Sequence, residues 1–122
     1  MTVEELNRQC TGSFVGLLGI RFTGFTDTEV TAEMEITPQH HQPLGVVHGG
    51  ALISLAETVG SAGSILLSDP GRQDVFGSVV NSQHLSPARD GVLRAVARLI
   101  HRGDFKHVWD VEIRDRDDKL IS

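Results

Sequence analysis

The sequence is short of several things, and each shortage excludes a class of protein. It has a single cysteine, Cys10, which cannot close a disulfide within the chain and points to a reducing, cytoplasmic setting. That thiol lies near the amino terminus with no neighbouring base to activate it, so no role is expected of it. There is no basic excess either: 16 acidic residues against 11 Lys and Arg leave a formal charge of −5. That is the wrong sign for a surface built to hold phosphate backbones, so nucleic acid is not an expected partner. No amino-terminal leader is visible, because MTVEELNRQC is polar and carries two glutamates. The longest apolar stretch, Ala51–Leu67, contains Glu57 and is rich in Gly and Ser, below what a bilayer core asks for. No membrane association is expected. No repeat, low-complexity tract or linker divides the 122 residues, so one domain spanning 1–122 is expected.

A local shortage of charge marks the stretch around which the rest is organised. His48–Ser68, HGGALISLAETVGSAGSILLS, has the pattern of one long helix, yet its 21 residues include one acid, Glu57, and no Lys or Arg. A solvated helix of that length normally carries several charges. At 100° per residue, Leu52, Leu55, Val59, Ala62 and Leu66 share one side. Gly50, Ser54, Glu57, Ser61, Ser64 and Ser68 share the opposite side. The back is apolar; the front is small and weakly polar, open to close approach by another backbone or a ligand.

Around this stretch the chain reads as short, alternating elements. Thr2 suits a helix cap, with Glu4 and Glu5 in a first turn where the helix dipole favours acids, and Gly12 is an expected stop. Ser13–Gly19 reads as an apolar approach to a strand at Ile20–Thr26, and Thr26–Asp27 as a turn. Glu29–Ile36 alternates cleanly, with Val30, Ala32, Met34 and Ile36 on one side and acids and Thr31 on the other, the mark of a half-buried antiparallel strand. Pro38 and Pro43 bracket a loop leading to His48. Asp69–Pro70–Gly71 is a strong stop. Strands are expected at Val75–Leu85, Val92–His101 and Phe105–Arg114, with a further one beginning at Lys119–Ser122. The expected class is α+β, an antiparallel sheet wrapped around one long central helix.

The helix also carries the candidate chemistry. His48, Gly49 and Gly50 would present backbone N–H groups at the positive end of the dipole, a seat for a developing oxyanion. Glu57 stands eight residues beyond Gly49, about 12 Å along the axis, too far for both to act on one bond within one chain. If both act on one bond, two copies of the helix must meet, and the small front face would let them pack closely in an isologous dimer. A helical glutamate is ordinarily just solvated, but a lone carboxylate on an otherwise uncharged helix is costly without a reason. His48 alone would more often be a helix-start or packing residue. His40 and His41 are adjacent, but no acid or cysteine completes a ligand set at a recognisable spacing, so no metal is expected. Ser61, one turn beyond Glu57, could orient a water or substrate but lacks the adjacent base a nucleophile needs.

Three stretches, QPLGVVHGGALISLAETVGSAG, NSQHLSPARDG and HRGDFKHVWDVEIRDRDDKLI, resemble the hotdog-fold acyl-CoA thioesterases. The similarity is to the branch with the 4-hydroxybenzoyl-CoA, 1,4-dihydroxy-2-naphthoyl-CoA and phenylacetate-pathway enzymes, and it covers roughly residues 20–121. In that branch an acid follows the HGG histidine by nine, a Gln precedes the histidine by six, and a Ser or Thr follows the acid by four. Glu57, Gln42 and Ser61 stand at those spacings from His48 and from one another.

The resemblance implies a metal-free and cofactor-free hydrolase of acyl-CoA, with an aryl or arylacetyl group favoured. Glu57 would be nucleophile or general base, and the Gly49 N–H of the partner subunit would bind the thioester oxygen. His48 and Gln42 would polarise that carbonyl or align water, and Ser61 would hold water or the acyl group. Coenzyme A would run past Ser82, Gln83 and His84, with its phosphates near Arg89, the turn at His101, Arg102 and Gly103, and Lys106; exposed basic side chains at turns are equally often merely solvated. A homodimer is implied, with a homotetramer as a dimer of dimers. Branch members usually continue past the segment matching Lys119–Ser122 through a complete strand, so the sheet edge and the CoA-binding rim are expected to differ there. Two other classes compete: a non-hydrolytic acyl-CoA-binding or regulatory module, and a hotdog hydratase or dehydratase, which generally pairs an Asp with a His in a different arrangement.

Overall fold

Thr2 opens the first helix with a reciprocal cap: its hydroxyl accepts the Glu5 N–H at 3.1 Å, and the Glu5 carboxylate accepts the Thr2 N–H at 2.8 Å. The computed structural model describes residues 1–122 and places α1 at Val3–Gln9 behind this cap. The apolar approach Ser13–Gly19 is itself helical: α2 spans Phe14–Leu18, capped by Ser13 and ended by Gly19 at φ 75°. That left-handed value is one glycine adopts without strain. Asn7 then pins α1 to the first strand, giving and receiving backbone bonds with Phe22 at 3.0 and 2.7 Å.

Four antiparallel strands follow in the spatial order of the chain: β1 Ile20–Phe25, β2 Glu29–Glu35, β3 Val92–Arg102 and β4 His107–Arg114. Helix α3, Gly49–Leu67, enters between β2 and β3 and lies across one face of the sheet. The periodicities explain the packing. Val30, Ala32 and Met34 of β2 pair with Ala97, Ala95 and Leu93 of β3, and all are buried in one cluster with Leu52, Leu55, Val59 and Ala62 of α3. Alanines at the sheet centre leave room for the helix to settle closely. The opposite face is solvated and lightly paired, with Arg98 reaching Glu29 at 3.4 Å and Arg21 reaching Glu33 at 3.0 Å. Such exposed pairs contribute little each. By length and hydropathy α3 alone could cross a bilayer; here its apolar side is the core of the sheet.

Three strand expectations need correction. The run Val75–Leu85 forms no ladder, because no neighbouring strand in the chain reaches most of it. Only its end is tied, through the Leu85 N–H to the Ile121 carbonyl at 2.8 Å. Phe76 is left 84% and Val79 69% exposed. The last segment makes a single bridge, Arg114 to Leu120, rather than a strand, although Ile121 is fully buried between Ile113 and Leu85. The strand expected from Phe105 begins at His107, with Phe105 standing free in the preceding turn.

Candidate functional site

The loop before α3 folds back as a small hairpin that aims its side chains at the helix start. The Gln42 N–H donates to the Val46 carbonyl at 2.8 Å, and His41 bridges to Val47. The Val47 N–H donates to Ala88 at 2.8 Å, and the His41 ring donates through Nε2 to the Arg89 carbonyl at 2.7 Å. These bonds strap the loop to residues 84–89. Buried His40 secures it from below, accepting the Thr37 N–H at 3.0 Å through Nδ1 and donating to the Leu18 carbonyl at 2.7 Å through Nε2. His40 and His41 are therefore structural ties, and no three His, Cys, Asp or Glu side chains converge on a point where they could hold a metal.

At the helix start the three expected N–H groups separate. The His48 N–H is consumed by the His40 carbonyl at 2.8 Å, and the Gly50 N–H by the His48 ring at 2.7 Å. Only the Gly49 N–H is left with no acceptor in the chain. The Gly50 bond also fixes a tautomer: with Nδ1 accepting, a neutral His48 ring carries its proton on Nε2, facing away from its own backbone. The Gln42 carboxamide oxygen accepts the Leu44 N–H, which leaves its NH2 group free to donate. Gly49, His48 and Gln42 thus offer three donors on the same loop and helix end.

The His84 ring lies over Gly49, with Nε2 2.8 Å and Cδ2 3.0 Å from where a Cβ would stand. Its other nitrogen, Nδ1, is 3.1 Å from the Ser122 hydroxyl, which also lies 3.2 Å from Ser82 Oγ and donates to the Gln83 carbonyl at 3.2 Å. A cleft of about 250 Å³ opens beside this group, lined by Val46, Gly49, Leu52, His84 and Pro87 among others. On the other side of the helix start a second cleft of about 380 Å³ is bounded by His48, Gly50, Ser54 and Phe14. Arg89 belongs to this end of the helix too, reaching the Leu44 carbonyl at 3.4 Å.

The remaining candidates lie further along α3 or at its far end. Glu57 is exposed at mid-helix, and Ser61 is half-buried one turn on. The turn at His101–Lys106 sits at the far end: Arg102 donates to the Leu67 carbonyl at 3.3 Å, satisfying the helix C-terminus. Gly103 closes that turn through its N–H to the Lys106 carbonyl at 2.8 Å, where a Cβ would stand 2.9 Å from His101 Nε2. Within one chain, then, Ser82, Gln83, His84 and Arg89 gather at the helix start with Gly49, His48 and Gln42. His101, Arg102, Gly103 and Lys106 do not join them; the length of α3, about 28 Å at 1.5 Å per residue, lies between.

One residue of the small front face of α3, Ser64, is engaged by the chain's own sheet: Trp109 of β4 lies against the neighbouring Gly60 and Gly63, and its indole N–H donates to Ser64 at 2.9 Å. His107 Nδ1 meets the same hydroxyl at 2.9 Å. The part left open is the run Gly50, Ser54, Glu57 and Ser61. Sequence reasoning missed Trp109, Ser122 and Gly77, which abuts the Glu57 carboxylate; each acts across long sequence distance, and no local pattern announces it.

Comparison with known proteins adds a lineage to this geometry. Residues 44–122 match the family model described as thioesterase superfamily. The chain is 38% identical over 120 residues to the 1,4-dihydroxy-2-naphthoyl-CoA hydrolase of Escherichia coli K12, covering 98% of this chain and 88% of that protein. It is 36% identical over 115 residues to the proofreading thioesterase EntH of Cronobacter turicensis, covering 94% and 83%. Among solved structures, a variant of a Pseudomonas aeruginosa thioesterase superposes with a TM-score of 0.95 at 41% identity, covering 99% of this chain and 87% of that one.

Proposed function

Because this chain belongs to the thioesterase superfamily, has its hotdog fold and is a thioester hydrolase, we propose that it hydrolyses an aroyl-CoA to the free acid and CoA at a site shared by two subunits. The observation that carries the reading is the division of labour along α3. The free Gly49 N–H and the Glu57 carboxylate stand on one helix but about 12 Å apart, so one thioester can meet both only where two helices run past each other. The run from Val75 to Val80, which pairs with no strand and leaves Phe76 and Val79 exposed, favours a second copy as the body that covers it. The same arrangement brings the far end of one helix toward the near end of the other. Arg89 of one subunit and the His101, Arg102, Gly103 and Lys106 turn of its neighbour would then flank one CoA. Ser82, Gln83 and His84 line its path. Pairing of two such dimers into a tetramer completes the proposed assembly.

The chemistry follows from the groups. The Gly49 N–H of one subunit receives the thioester oxygen, and the His48 Nε2–H and the Gln42 NH2 add to the pull on that carbonyl. Glu57 of the other subunit attacks the carbonyl carbon itself or takes a proton from the water that does. Negative charge builds on the oxygen, the C–S bond breaks, and the sulfur leaves as CoA thiolate and regains a proton. Where water attacks, this gives the free acid directly; where Glu57 attacks, it leaves an acyl–Glu57 anhydride that water then hydrolyses to the free acid and the original carboxylate. Ser61 holds the water or the acyl group beside Glu57. No metal enters this scheme. The naphthoyl-CoA hydrolase at 38% identity supports an aromatic acyl group.

A thiol-release assay over benzoyl-, naphthoyl-, phenylacetyl- and fatty acyl-CoA tests the reading. Release fastest with the aroyl esters, and lost in Glu57→Gln with the fold retained, is the expected result. Near wild-type turnover by Glu57→Gln would sink it, and acyl-CoA binding with no CoA release would favour a non-hydrolytic module.

A further inference from the structure

Gly77 is a glycine without a backbone reason to be one. Its φ is not in the left-handed region, unlike Gly71 and Gly91 on either side of the segment, so any L-residue could adopt its conformation. Its neighbours carry side chains freely: Phe76 and Val79 point into open space. What occupies the place of a Gly77 side chain is the Glu57 carboxylate. A Cβ there would collide with Oε1 and stand 3.1 Å from Cδ and 3.4 Å from Cγ. Nothing else fixes this carboxylate, because Glu57 enters none of the chain's ion pairs. Its position is set by the bare backbone it lies against.

We propose that Gly77 is a positioning residue for Glu57: the missing side chain at 77 lets the carboxylate rest against the segment after α3, in the rotamer from which it reaches the thioester. This rests on Glu57 acting in hydrolysis. A methyl group at 77 drives the carboxylate into another staggered rotamer, and a displacement on the order of 1 Å at a reacting group is enough for about a 100-fold loss of rate. The fold is little disturbed, since the atoms that must yield are the far end of a flexible, exposed side chain.

The test compares wild type, Glu57→Gln, Gly77→Ala and Gly77→Ala with Glu57→Gln, with Ser78→Ala as a neighbouring control, using benzoyl-CoA as probe. Hydrolysis by wild type and its loss in Glu57→Gln establish first that the reading beneath this proposal holds; without them that reading fails on its own. Gly77→Ala is then expected to lower kcat about 100-fold with KM within about twofold, and with thermal midpoint and oligomeric state unchanged. Added to Glu57→Gln it is expected to cost nothing more, because it acts only through the carboxylate. Should Gly77→Ala fold poorly, Gly77→Ala with Glu57→Ala removes the colliding group and is expected to restore the thermal midpoint. The proposal is overturned by near wild-type kcat in Gly77→Ala, by an equal further loss in the Glu57→Gln background, or by instability that persists without the carboxylate.

Discussion

The indole N–H of Trp109 donates to the Ser64 hydroxyl at 2.9 Å, and this bond holds the ring in a groove along α3 that two glycines open to different depths. A Cβ on Gly60 would meet Trp109 atoms at 3.5–3.8 Å, ordinary contact, whereas one on Gly63 would overlap the ring. The two substitutions should therefore have opposite signs. Gly60→Ala gains helix propensity, about 0.5–1 kcal/mol, with no packing penalty. Gly63→Ala gains the same but must expel the ring from a close-packed site and strand its N–H, for a net loss of about 2 kcal/mol. Urea unfolding of both variants, with unchanged slopes, checks the pair; destabilisation of equal size in both would contradict the groove.

A site divided between subunits makes a prediction that a site within one chain does not. Glu57→Gln removes the carboxylate from one half-site, and His48→Ala removes a carbonyl donor from the other. Each homodimer should be inactive, because both its sites lack the same group. Mixed and allowed to exchange subunits, the two proteins form heterodimers in which one of the two sites regains a full set. Random assortment makes half the dimers mixed, so about a quarter of wild-type thiol release should return. No recovery in a mixture shown by mass to contain heterodimers would place Glu57 and His48 in the same chain's site.

What was readable in advance, and what was not, divides by the range of the interactions. The cap at Thr2, the alternation of Glu29–Ile36 and the helix after His48 with its single charge are local patterns, and the structure returns them nearly residue for residue. The run Val75–Leu85 has the residues of a strand but lacks a partner within the chain, and side-chain pattern alone does not say where a partner is. Trp109 is another such case: it lies against Gly60 and Gly63 and donates to Ser64, 45 residues before it, across a distance no local pattern spans. The helix start shows a third kind of limit. Its glycines promised several free N–H groups, but the His48 ring turns back to take the Gly50 donor, a choice of rotamer rather than of sequence.

Cys10 gives a pH dependence with a definite sign. Its thiol donates to the Leu6 carbonyl at 3.3 Å on α1, and burial pushes its pKa above the ordinary thiol value. The folded chain therefore keeps this proton at a pH where the unfolded chain has released it. A group of this kind contributes most stability below the unfolded value, and loses that contribution as pH rises through the ordinary thiol range toward the folded value. Two measurements follow. Because the thiolate is the reactive form, a thiol reagent should modify Cys10 more slowly than free cysteine throughout the neutral range. The difference in unfolding free energy between the natural chain and Cys10→Ala should also shrink as pH rises through and above the ordinary thiol range, other groups cancelling in the comparison. A difference that grows with pH would mean that the fold stabilises the thiolate instead, and would make Cys10 a reactive group, against expectation.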